Sequence, residues 1–471
     1  MKTSGKILVA VLGAALLLAG CGKNPATSSS PSSSWSFETS GAGTQLKQFV
    51  AAQEAQARAL AKEEGNTLPP DFDAFYKVAG KGDWQGASRL FAQMAKGVNS
   101  DSSLRGSWWS ATLDAYGVFE LFPAGDKYAV AFGRDIIQSI PAGSIYFGGT
   151  DPGRFVVTAL TESHADGKPF FTLSQNPLAD VTYLHYLRSM YRGKIHTLTD
   201  EDSQKGFQDY VADAQRRLAH DRQFPNEPKQ LKPGEDVSQD ANGRIQLRGQ
   251  MAVIGVRELL TKMIFDKNPD REFYLEESFP LDWMYPYLEP HGLIMKINRQ
   301  PLPGLSEEIV QSDTDYWIKY VTPLIGGRLK PDTTIEEVAA FMERIHLKKD
   351  LGGFEEGDPQ FVQNENACKM FSKLRSSIAG VYAWRAQHAT DAGEKKRISD
   401  AADFAFRQAW ALCPDSPETL YWYVSLLMSE GRTADAILIA ETTAKMPSMQ
   451  GANGEQLRSM IMQLKQTQKA Q

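Results

Sequence analysis

Past its first twenty or so residues, the 471-residue chain has no apolar run of membrane-spanning length, so hydropathy offers no further bilayer-crossing helix. It lacks a basic excess: 51 Lys and Arg stand against 57 Asp and Glu, a net charge of -6. That excludes the broad positive field needed to follow a nucleic-acid backbone. Its seven histidines form no pair at metal-ligand spacing, so no metal is expected. Neither Gly-x-Gly-x-x-Gly nor Gly-Lys-Ser/Thr occurs, and no Gly-x-Ser-x-Gly elbow, so no nucleotide, cofactor or catalytic serine is anticipated. Cysteine is scarce too, with only Cys21, Cys368 and Cys413.

What is present begins with a short basic lead, MKTSGK, followed by ILVAVLGAALLLAG and then Cys21. The apolar run is too short to span a bilayer comfortably and has the form of an export signal. Leu18-Ala19-Gly20-Cys21 resembles the lipobox of bacterial lipoproteins. That resemblance implies cleavage before Cys21, lipidation of its thiol, and a mature chain anchored to the membrane and facing the periplasm. Gly22 in place of an acidic residue favours the outer membrane by the same resemblance. Residues 1–20 are therefore read as a signal peptide. Residues 21–43, rich in Ser, Pro and Gly, read as a flexible tether, too poor in apolar side chains to order itself. In an oxidising compartment Cys368 and Cys413 could pair or remain two buried thiols, and spacing does not decide between them.

Residues 44–125 read as helical. Helix formers run from a candidate cap at Thr44 to a Gly65-Asn66 stop. Phe75, Val78, Gly82, Trp84, Ala87, Phe91 and Met94 then recur as in two packed antiparallel helices. Residues 331–471 repeat that texture: Ala402, Phe406, Ala409 and Pro414 close one unit, and Tyr423, Leu427, Gly431, Ala436 and Ala440 continue the next. The pattern resembles tetratricopeptide repeats, in which small residues let helices approach and proline ends the second helix.

Between them, residues 126–330 alternate strand-like and helix-like stretches. SIYFGG reads as a strand, PGRFVVTALTES as a helix, PFFTLSQ as a strand, and ADVTYLHYLRSMYRG as a strand entering a helix or a further strand. A Pro-, Gly- and Asp-rich loop near 222–243 interrupts the pattern, which resumes with RIQLRG, a helix, REFYLEES and GLIMKIN. A capping box at Thr334 and Glu337 opens the following helix. The expected fold is a Rossmann-like α/β domain with a mostly parallel sheet, flanked by helical, tetratricopeptide-like regions.

GSIYFGGTDPGRFVVTAL, ADVTYLHYLRSMY and NPDREFYLEESFPLDWMYPYLEPHGLIMKIN together resemble the soluble C-terminal region of bacterial protein O-mannosyltransferase-like membrane proteins. The corresponding positions are Gly148 to Asp151, Asp180 with Val181, and Leu288, Glu289, Gly292 and Leu293. Catalysis in that family is expected in a multi-spanning membrane part absent from this sequence. The resemblance therefore implies an accessory module, with a glycan or lipid-linked sugar as its possible ligand.

The turn GGTDPGRF is the candidate binding site, through Thr150, Asp151 and Arg154. Its glycines permit close backbone approach, and a helix start offers free amides. Asp151 and Pro152 oppose an anion, because a carboxylate there would cap the helix itself and proline removes a donor. Glu276 and Glu277 are adjacent on a strand and so expected on opposite faces. Asp313-Thr314-Asp315 has an Asp-x-Asp form for which a helix-cap role suffices. Trp108-Trp109 and the aromatics of FPLDWMYPYLEP read as packing. The functional expectation is a non-catalytic, lipid-anchored envelope protein that holds other envelope proteins through helical repeats, with the glycan-binding module as the alternative.

Overall fold

The computed structural model describes residues 41–100, 105–120, 126–239, 245–352, 354, 356–449 and 451–470. Cys21, the leader and all but the end of the tether lie outside the described residues. Four helices open the chain: α1 (Gly43–Glu63), α2 (Pro70–Ala79), α3 (Trp84–Ser100) and α4 (Trp108–Gly117). The first stops where Gly65 turns to φ +74° and Asn66 N–H reaches back to Ala61 O at 2.8 Å. It starts at Gly43 without a side-chain cap, so Thr44 lies inside the helix and does not cap it. As expected, α2 and α3 pack as a pair. Phe91 is sandwiched between Trp109 and Tyr116, stacking on them at 5.3 and 3.9 Å.

The α/β part runs α5 (Asp126–Ser139), β1 (Ile145–Gly148), a π-turn at Pro152–Val156 leading into α6 (Val157–Leu160), β2 (Phe171–Ser174), α7 (Val181–Tyr191), α8 (Asp200–Gln223), β3 (Asp236–Gln239), β4 (Ile245–Arg248), α9 (Gln250–Lys267), β5 (Phe273–Glu276), β6 (Leu288–His291) and β7 (Ile294–Ile297). Its main sheet has the order β2-β1-β5-β7-β6. β1 pairs in parallel with β2 and β5, and β7 runs antiparallel between β5 and β6. All residues of β1, β2 and β5 are buried, as parallel strands covered on both faces are. Four of the five strands point one way. The antiparallel edge was not anticipated: Gly292-Leu293 is a two-residue hairpin loop, and Gly292 supplies the positive φ, +60°, that such a loop requires.

Three local expectations are corrected. ADVTYLHYLRSMYRG holds no strand: Asp180 accepts the Thr182 N–H and Val181–Tyr191 coils as α7. RIQLRG does not rejoin the main sheet but pairs with β3 in a separate antiparallel ribbon. That ribbon also gives the end of the 222–243 segment a strand, which docks on α8.

The C-terminal part comprises α10 (Glu307–Ile325), α11 (Ile335–Met342, opened by the expected Thr334–Glu337 box), α12 (Pro359–Gln363), α13 (Glu365–His388), α14 (Ala392–Leu412), α15 (Pro417–Ser429), α16 (Thr433–Ala444) and α17 (Ala452–Ala470). From α13 onward, successive helices pack on their neighbours as a layer of hairpins. This layer is also a wall of the core. Of 24 residues in α13, 17 are buried, because one side meets α14 and the other meets β6, β7 and α5. Phe132 on α5 meets Phe371 edge-on at 5.9 Å, Tyr285 stacks on Trp384 at 5.6 Å, and Phe279 meets Trp422 at 5.6 Å. α10 and α11 cover the opposite side of α14, and α11 also meets α16. Cys368 and Cys413 are buried free thiols, donating to Phe361 O and to the Asp415 carboxylate.

Candidate functional site

In an open α/β sheet, a ligand sits beyond the carboxyl ends of the parallel strands where the strand order reverses. Here β1 feeds β2 on one side and the chain then crosses back to β5 on the other, so that point lies between β1 and β5. The turn Gly148 to Arg154 leaves β1 at this place, and Glu276 ends β5 beside it, in register with Gly148.

The corner is filled from within. The Glu276 carboxyl, buried, accepts the Gly149 N–H at 3.2 Å, the Thr150 N–H at 3.0 Å and the Thr150 hydroxyl at 2.7 Å. Thr150 Oγ1 in turn accepts the Gly153 N–H at 3.1 Å. The Gly149 N–H also meets the Glu276 carbonyl at 2.7 Å, so the amides that could have held a phosphate are taken up by groups of the same protein. The glycines make room for it: a methyl group at Gly153 would lie 1.7 Å from Glu276 Oε2, and one at Gly149 would lie 2.1 Å from Glu277 Oε2. Asp151 occupies the N-cap position but its side chain makes no cap hydrogen bond, so the self-capping expected of it is supplied by Thr150 and Glu276 instead.

Both glutamates thus approach one turn, against the expectation from strand alternation. β5 ends at Glu276, and the two-residue period has no hold on Glu277 beyond it. Burial pushes the Glu277 carboxyl up to about 7, and the neighbouring Glu276 adds to the rise. Burial likewise raises Glu276, against the pull of the Thr150 and Gly149 donors. A carboxyl with a raised folded-state pKa stabilises the fold fully below its unfolded value near 4.5, and that contribution is lost as pH rises through about 7. Glu277→Gln removes the titration. In urea unfolding from pH 5 to pH 8, the variant should gain stability relative to the parent as pH rises; a constant difference contradicts the assignment.

Arg154 turns away from the corner. Its guanidinium donates to Asp114 Oδ1 at 2.7 Å, and both side chains are nearly buried. Tyr186 donates to Asp114 Oδ2 at 2.7 Å, and His164 lies between the Tyr186 and Tyr191 hydroxyls at 3.3 and 3.1 Å. Burial alone would raise the Asp114 carboxyl, but Arg154 and His164 hold it below its usual range. Thr150, Asp151 and Arg154 therefore do not converge on one space: Thr150 serves Glu276, and Arg154 serves a buried network tying α4, the Pro152–Val156 turn and α7 together.

The Asp-x-Asp pair is divided too. Asp313 and Asp315 lie inside α10, whose N-cap is Ser306, so neither caps a helix. Asp313 is buried and receives Arg375 at 2.7 Å and Tyr382 at 2.8 Å, while Asp315 accepts from Gln311 on the outside. Among the described residues no group of three His, Cys, Asp or Glu side chains could hold a metal ion, and no helix is long and apolar enough to cross a membrane.

Two features escaped the sequence reading. Gln175, one residue past the β2 partner of Gly148, is buried with neither amide atom hydrogen-bonded. A cavity of about 200 Å³ lies between α1 and the segment 159–165, with His164 in its lining. Neither carries a local motif, and the glutamines of α1 read simply as helix formers. No family model matches the chain, and no curated protein or solved structure matches it.

Proposed function

We propose that this chain is a non-catalytic lipoprotein, anchored in the bacterial envelope through Cys21, that holds partner proteins on the outer surface of its helical layer. The observation that carries this reading is the filled corner: the strand-end position where an open α/β sheet keeps a substrate is occupied by Glu276 and covered by α13, whose Ser377 donates to Glu277 O. Function then falls to surfaces. The sides of α13 and α14 that meet the sheet and α10 are internal and α16 is covered on one side by α11, so the terminal helix α17 is taken as the part of the layer that meets a partner. Met462, on α17, is 61 % exposed and is the most exposed large apolar side chain of the described residues.

Removing the C-terminal helices would dismantle the core, so the test uses a surface change. Full-length protein carrying Met462→Glu should lose specific proteins captured by the parent from envelope extracts, while Cys21→Ala should move the chain from the membrane to the soluble fraction. Identical capture by parent and Met462→Glu contradicts the partner surface. Unchanged membrane retention of Cys21→Ala contradicts the anchor.

A further inference from the structure

The cavity beside α1 mixes small apolar side chains with a row of uncharged amides. Gln45, Gln48, Gln53 and Gln56 lie three, eight and eleven residues along from the first, on one side of the helix, and face the segment 159–165 with Met190. Two of them brace the walls: Gln45 Nε2 donates to Leu160 O at 2.8 Å, and Gln56 Nε2 donates to Ser189 Oγ at 3.1 Å. Each then keeps its amide oxygen, to which no described residue donates. Gln53 is 2 % exposed, and one end of its amide is pinned on the Tyr186 hydroxyl at 3.2 Å. The other end has no partner among the described residues and is left to the cavity.

From this lining we infer that the cavity is a binding site for a small, neutral, hydroxyl-rich molecule. A hydroxyl both donates and accepts, as an amide does, so a row of glutamines matches a polyol without a fixed charge. Lysine and arginine are absent from the lining, so a phosphate or carboxylate meets no cation there. The single carboxylate, Glu162, is exposed at the rim. Phe49, buried, contributes an apolar ring 6.3 Å from that of His164, a surface against which the C–H face of a ring can lie. The volume, about 200 Å³, is below the ~300–1,000 Å³ usual for drug-sized ligands and suits a single ring.

The floor is rigid for a stated reason. His164 is held by Tyr186 and Tyr191, and Tyr186 by the Asp114–Arg154 pair, so His164 and, through Tyr186, the Gln53 amide are fixed before a ligand arrives. The same bonds engage both ring nitrogens of His164, which makes it a positioning group and leaves binding to the amides.

The experiment titrates the full chain with D-glucose, D-mannose, myo-inositol and glycerol, read by saturation-transfer NMR and calorimetry. At least one should bind saturably. Gln53→Met removes the amide at similar shape, and Ala52→Trp fills the cavity from an exposed position that makes no contact with the His164 network. Each should weaken binding by roughly tenfold or more, since a site built to bond hydroxyls discriminates strongly when a partner is lost. Ala52→Trp should also keep the parent's melting temperature, which separates a blocked site from a failed fold. Absence of saturable binding to all four probes, or an affinity that survives Ala52→Trp, overturns the inference.

Discussion

Arg375→Met is expected to destabilise the protein by about 3–5 kcal/mol, the usual cost of leaving one charge of a buried pair without its partner. Arg375 is 1 % exposed. Its guanidinium spans Asp313 Oδ2 at 2.7 Å and Gln408 Oε1 at 2.8 Å, and lies 5.0 Å from the Trp317 ring. Tyr382 donates to the same Asp313 oxygen at 2.8 Å. The residue therefore fastens α10, α13 and α14 at one point, inside the seam that joins the hairpin layer to the rest of the core. Asp313→Leu alone should cost a similar amount, because it strands the guanidinium. The double substitution should cost clearly less than the sum, since neither charge is then left alone. Denaturant unfolding of the four proteins measures this coupling; simple additivity would mean that the pair does not act as a unit.

Gly153→Ala is the second large effect. The added methyl group would lie 1.7 Å from Glu276 Oε2, so the carboxyl must leave its place or the turn must shift. Overpacking in a tight interior costs roughly 1–3 kcal/mol. Each donor left without its acceptor adds about 1–3 kcal/mol, and both the Thr150 N–H and the Thr150 hydroxyl depend on this carboxyl, whereas the Gly149 N–H keeps the Glu276 carbonyl at 2.7 Å. A total of about 3 kcal/mol or more is therefore expected in the same unfolding assay. Gly65→Ala is the useful contrast, because φ is +74° there but nothing lies within 4 Å, leaving backbone strain as its only cost. A loss at Gly153 no larger than that at Gly65 would show that the corner is loosely filled.

These two positions also show how far the sequence could be read. Most helices and the buried strands were legible because they are local: the Thr334–Glu337 box joins residues three apart, and β1 is its own apolar run. The partners that give the corner and the seam their meaning are distant. Thr150 meets Glu276 across 126 residues, Arg154 meets Asp114 across 40, and Arg375 meets Asp313 across 62. A glycine turn carries the same local signature whether a ligand or a side chain of the same chain fills it. The two glutamates misled for a related reason: alternation holds within a strand, and the end of β5 between them is set by pairing with β1, not by the residues themselves.

The hairpin layer shows the same limit. Small residues and aromatics at repeat-like spacing marked α14 to α16 as packed helices. The spacing did not reveal that α13 would be buried on both sides, because Ser372, Arg375, Ser376 and Ser377 look like a polar surface until their partners are known. Ser372 donates to Ala409 O at 2.8 Å and Ser377 bonds Glu277 O, so this polar stripe is an interior seam.

Amide hydrogen exchange at Thr150 tests the central claim, that the strand-end corner is filled by the protein itself. If the Glu276 carboxyl holds this N–H in the free protein, it exchanges as slowly as the interior amides of β1. Exchange at the rate of an exposed loop would contradict it, returning the corner to the role of an open binding site.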